Sequence, residues 1–153
     1  MQRAVIVGSS SGAGLAIDFA LEHPERVDEL ILLGPVVHGM ATSTHFYERG
    51  ERNNAPLSDG DLDTAAERWA NDPWQIAGAH DAARHILESL LKANPQNLLY
   101  SGRFECRPSP PAIDRLGAIR VPTLILMGER DIPDVQAYAG AIEAGIPAHG
   151  ARS

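Results

Sequence analysis

One cysteine and one lysine, Cys106 and Lys92, are all that 153 residues contain of either type. A lone thiol can neither close an internal disulfide nor build a cysteine zinc site. The other basic residues are scattered arginines and the formal net charge is −7, so no basic patch exists to neutralise a nucleic-acid backbone. No apolar run approaches the roughly 18 residues that span a bilayer, and no membrane partner is expected. "MQRAVIVG" is too short for a signal peptide and leads straight into a strand. A soluble, cytoplasmic protein is the expectation. Asp59, Asp61 and Asp63 lack the twelve-residue pattern of a calcium loop and read as a solvated helix start. Neither a metal nor an organic cofactor is expected.

What remains is globular: 44% apolar and 22% charged residues, enough chain for one domain with a real core. Three short apolar runs, "RAVIVG" (Arg3–Gly8), "DELILLGPVV" (Asp28–Val37) and "VPTLILMG" (Val121–Gly128), read as parallel strands. None alternates polar with apolar, which predicts burial on both faces. A helix from Gly12 to Glu22, stopped at Pro24, joins the first two into one βαβ unit. Residues 39–117 are read as a helical insertion, leaving 1–38 and 118–153 as an α/β core. One insertion helix is capped by Ser58 or Asp59 and another runs through "DPWQIAGAHDAARHILESLLKANP". Proline-rich "RPSPPAID" returns the chain to the sheet, and a last helix is capped by Asp134.

"VGSSSGAG" (Val7–Gly14) reads in two incompatible ways. As a glycine loop it would cradle a dinucleotide pyrophosphate. That site needs an acidic or basic residue at the end of the second strand, where Gly34 and Pro35 stand. A short-chain reductase also carries a Tyr-x-x-x-Lys pair, and position 88, four before the only lysine, is Glu88. As Gly8-x-Ser10-x-Gly12 the stretch is a nucleophile elbow: a strained strand-to-helix turn flanked by residues with almost no side chain. Neither Ser9 nor Ser11 is bracketed by glycines in this way. The elbow would lift the Ser10 hydroxyl above the sheet and aim the Ser11 amide at the oxygen of an attacked carbonyl.

With "HPERV…LILLGP" and "VPTLILMGERD" following in order around a helical block, the chain resembles the capped, serine-nucleophile branch of the α/β-hydrolase family. The resemblance implies a partial α/β-hydrolase fold: three parallel strands with flanking helices and a helical cap. It matches Asp131 to the catalytic acid, ahead of Glu129 and Asp134. It also places the histidine that completes the triad after one further strand, beyond Ser153, and other strands before Arg3. His149 stands at the wrong end of that strand. The expectation is therefore an internal fragment or truncated gene product, inactive alone and prone to self-association through exposed sheet edges.

The implied parent reaction is hydrolysis of a small carboxylic ester, lactone or related acyl bond. Ser10 is its nucleophile, the Ser11 amide its oxyanion donor and Asp131 its acid. The alternatives are a non-catalytic remnant or binding domain of the same fold and, behind it, an NAD(P)-dependent reductase. His80, His85, Cys106 and a set of Trp69, Trp74, Phe46 and Met40 read as surface or packing residues, the aromatic set equally as pocket lining.

Overall fold

The computed structural model describes residues 2–76, 80–99 and 108–147. They form two compact units, one of residues 1–41 with 106–153 and one of residues 42–105.

The first unit is built on a parallel sheet of β1 (Ala4–Ser9), β2 (Val27–Leu33) and β3 (Thr123–Leu126), in the order β1-β2-β3. Helix α1 (Ser11–Glu22) connects β1 to β2 and packs on both. Its small residues Ala13, Ala16 and Ala20 let it approach closely, and Ile17 is wholly buried between them. The helix stops at His23, where Pro24 opens a short 3-10 turn. Beneath α1 the core takes in Val27, Leu30 and Leu32 of β2, and Leu116 and Ile119. The segment Ala112–Ala118, a 3-10 helix, packs against α1, and Ala112 and Leu116 are buried there. Residues 108–117, which the sequence reading assigns to the insertion, are thus part of this core, because their apolar spacing supplies it with two buried side chains.

Several boundaries differ from expectation: β3 keeps only Thr123–Leu126 of the run Val121–Gly128, and two other differences have a clear cause. β2 ends at Leu33 and not at Val37, because Gly34 turns left-handed at φ 49 and breaks the strand. The last helix, α5, runs Pro133–Gly145 with Ile132 at its cap position. Asp134 is therefore not the cap; it sits buried in the first turn, and Pro133 starts the helix because its missing N–H costs nothing there.

The expectation of strands buried on both faces is not met among the described residues. Val5 and Val7 of β1 are 49% and 61% exposed, and Leu33, Leu124 and Leu126 lie open as well. Val7 pairs with Ile31 and Ile31 with Leu124, so these positions share one side of the sheet. Helix α1 covers the other.

The second unit is helical: α2 (Thr44–Asn54), α3 (Leu62–Ala70) and α4 (Asp81–Ala93). Helix α3 is capped by Asp61, whose carboxylate accepts from the Thr64 amide at 2.9 Å and the Thr64 hydroxyl at 2.6 Å. Ser58 and Asp59, the expected caps, lie in a 3-10 turn closed by Gly60 at φ 75. Helix α4 begins at Asp81 and packs on α3, leaving Ile86 and Leu90 exposed. Helix α2 carries no apolar stripe and is missed by periodicity; its buried residues are Arg49 and Asn53.

Candidate active site

Ser10 occupies the cap position of α1, yet it does not cap the helix. A capping serine adopts extended backbone angles and accepts a hydrogen bond from the helix's second or third amide. Ser10 instead has φ 53 and ψ −121 and makes no such bond. Among the described residues it alone has positive φ without being glycine. That conformation costs about 1–3 kcal/mol and persists only where the surroundings impose it. Here they do: the Ser10 amide donates to the Leu33 carbonyl at 2.9 Å, and the Ala13 amide donates to the Ser10 carbonyl at 2.9 Å. The side chain is left exposed at the positive end of the helix.

The flanking glycines divide. A Cβ on Gly8 would fall 2.5 Å from the Gly12 carbonyl oxygen and 2.7 Å from Ala13 Cα, both backbone atoms, so only glycine fits. A Cβ on Gly12 would meet nothing within 4 Å. The demand for a bare residue after the serine is therefore not imposed by the described residues. Ser11 opens the helix, where its amide lacks an intrahelical partner, and its side chain is exposed.

Asp131 follows β3 in a turn closed by its amide on the Gly128 carbonyl at 3.0 Å. It is half-buried, and Oδ1 accepts from the Ile132 amide at 2.9 Å. Oδ2 lies 3.4 Å from where a Cβ on Gly34 would stand. Ser10 thus reaches the carboxyl end of β2 through Leu33, and Asp131 reaches it through Gly34. Both sit beyond the carboxyl ends of parallel strands, where open α/β sheets place their ligands. Glu129 is exposed in the same turn. Position 34, where a dinucleotide site needs a ribose-binding side chain, is a glycine.

The described histidines are engaged elsewhere or exposed. His38 meets Asp18, His23 packs at a tilt against Phe19 with ring centres 5.0 Å apart, and His45 packs edge-on to Trp74 at 5.9 Å. His80 and His85 are exposed on the second unit. His149 and Cys106 lie outside the described residues. No described helix is long and apolar enough to cross a membrane, and no described group of three or more His, Cys, Asp or Glu could hold a metal ion.

No family model matches the chain. Curated relatives do. A 2-hydroxy-6-oxononadienedioate/2-hydroxy-6-oxononatrienedioate hydrolase of Comamonas testosteroni is 51% identical over 135 residues, covering 86% of this chain and 47% of that protein. A 2-hydroxy-6-oxo-6-phenylhexa-2,4-dienoate hydrolase of the same organism is 29% identical over 147 residues, with the same coverage of 86% and 47%. Among solved structures, a thermophilic esterase from Thermogutta terrifontis superposes with a TM-score of 0.67 at 22% identity, over 99% of this chain and 55% of that one. The chain belongs to the α/β-hydrolase fold family. It spans about half the length of the curated relatives it matches.

Within this α/β-hydrolase chain, the second unit holds a polar cluster that sequence reasoning missed. Arg49 Nε donates to Asp72 Oδ2 at 2.8 Å, Asn53 Nδ2 donates to the same oxygen at 2.5 Å, and the Trp74 amide donates to Oδ1 at 2.9 Å. The Arg49 guanidinium also lies 5.0 Å from the Trp69 ring centre and 5.9 Å from that of Phe46. Two of the four aromatic and methionine candidates therefore serve a buried arginine. Burial alone would raise the Asp72 pKa, but hydrogen bonds from Arg49, Asn53 and the Trp74 amide, with the arginine charge, hold it below the ordinary value. Arg49 and Asp72 lie too far apart in sequence for any local pattern to pair them.

Proposed function

We propose that this α/β-hydrolase chain carries the nucleophile and acid of a serine hydrolase acting on a small carboxylic ester, lactone or related acyl bond. The observation that carries this is Ser10: a strained, exposed serine at a helix start that forgoes its capping bond. Ser10 Oγ attacks the carbonyl carbon, and the negative charge that develops on the oxygen is met by the Ser11 amide and the helix dipole. Asp131 serves as the acid that orients a histidine and stabilises its imidazolium. The helical unit, with α2 to α4, is the insertion that shapes substrate choice. The relatives' names favour one variant of this reading, a 2-hydroxy-6-oxo-dienoate substrate.

The histidines favour a second reading, a non-catalytic domain of this fold, because no described histidine bonds to Ser10 or Asp131. Prolonged incubation with a fluorophosphonate probe and peptide mapping separates the two. A slow adduct on Ser10, absent from Ser10→Ala and not found on Ser9 or Ser11, is expected. An adduct spread over several serines, or none at all, favours the non-catalytic domain.

A further inference from the structure

We propose that Asp18 and His38 form a latch that positions the elbow carrying Ser10. The two side chains come from different elements, α1 and the loop after β2, and Asp18 Oδ2 meets His38 Nδ1 in a close hydrogen-bonded contact. Their side chains are only 11% and 17% exposed, so the bond is shielded from competing water. The second carboxylate oxygen, Asp18 Oδ1, is buried with no hydrogen-bond partner among the described residues. Removing His38 would therefore strand a buried carboxylate, which gives the contact its weight.

The other edge of the imidazole reaches the elbow. His38 Nε2 lies 3.2 Å from where a Cβ on Gly14 would stand, and the Gly14 amide donates to the Ser10 carbonyl at 3.4 Å. The ring thus backs the turn whose amides hold Ser10 in its strained conformation. Its own backbone is anchored, since the His38 carbonyl accepts from the Ile113 amide at 3.0 Å. Next to it, Gly39 at φ 95 lies so near Pro111 that a Cβ would come within 2.5 Å of that ring. With Nδ1 taken by Asp18 and Nε2 facing Gly14, His38 is a positioning residue and not a proton acceptor for Ser10. Its catalytic meaning rests on the reading of Ser10 as nucleophile.

Hydrogen exchange read by mass spectrometry on the 153-residue chain tests the latch, with Ser10 phosphonylation followed in parallel. In His38→Ala and Asp18→Ala, peptides covering residues 9–16 should exchange about tenfold faster, while those covering residues 28–33 keep their rate. Phosphonylation of Ser10 should slow by about the same factor. His38→Asn, whose Nδ2 takes the place of Nδ1 and keeps a donor for Asp18, should restore both, and Asp18→Ala carries the comparison should His38→Ala not fold. Equal acceleration across both segments would reduce the pair to ordinary stabilisation, and unchanged exchange at residues 9–16 would overturn the latch outright. If wild-type Ser10 takes up no probe, the nucleophile reading fails, while the exchange data still decide the latch.

Discussion

The Cβ that an alanine at position 8 would carry lies 2.5 Å from the carbonyl oxygen of Gly12, closer than any real contact of that kind. Relief would require the elbow backbone itself to move. Gly8→Ala should therefore cost about 1–3 kcal/mol, as overpacking does. Gly12→Ala, with open space beside it, should be neutral or stabilise by up to about 1 kcal/mol. Denaturant titration of both variants checks the contrast, and equal losses would mean that the turn tolerates neither.

Acid should weaken the helical unit through Asp72. Its carboxyl is held below the ordinary value when folded, so the stabilisation is fully present above the unfolded pKa near 4 and disappears as pH falls through the folded one. Stability is expected to be level from neutrality to about pH 5 and to drop below that. Asp72→Asn should shrink this acid limb, leaving the parts due to Asp61 and Glu88, and cost about 3–5 kcal/mol at pH 7, because it leaves the buried Arg49 without its counter-charge. Circular dichroism melts across pH 3–8 measure both, about one pH unit apart.

Turnover should be minimal even if Ser10 acylates. Losing the histidine of a Ser–His–Asp triad costs on the order of a million-fold, and the described histidines bond elsewhere or lie exposed. p-Nitrophenyl acetate should be hydrolysed hardly faster than in buffer. Robust turnover that vanishes in Ser10→Ala would point to His149, and His149→Ala would then decide it.

Self-association should run through the first strand. Among the described strands β1 pairs only with β2, and Val5 and Val7 offer an uncharged surface beside the free edge. Light scattering after size exclusion should show species larger than a monomer. Val7→Lys should shift them toward monomer by placing a charge on that surface. A monodisperse monomer in the wild type would remove this expectation.

The strained turn at Ser10 was legible in the sequence, because a strand-to-helix turn is a local object. Two glycines around a serine, between an apolar run and a helix, predicted a strained turn, and Ser10 adopts it at φ 53. The three strands and α1 were readable for the same reason, since a short apolar run and a helix period are both signals within a few residues. What only the tertiary structure decided were relationships between distant segments. Arg49 finds Asp72, His38 finds Asp18, and Asp131 finds Gly34, each pair brought together by packing that no local pattern encodes. Helix α2 escaped the sequence reading because it buries an arginine and an asparagine in place of an apolar stripe. The open side of the sheet was likewise a tertiary outcome: valine and leucine runs look alike whether helices cover one face or two, and here α1 covers one.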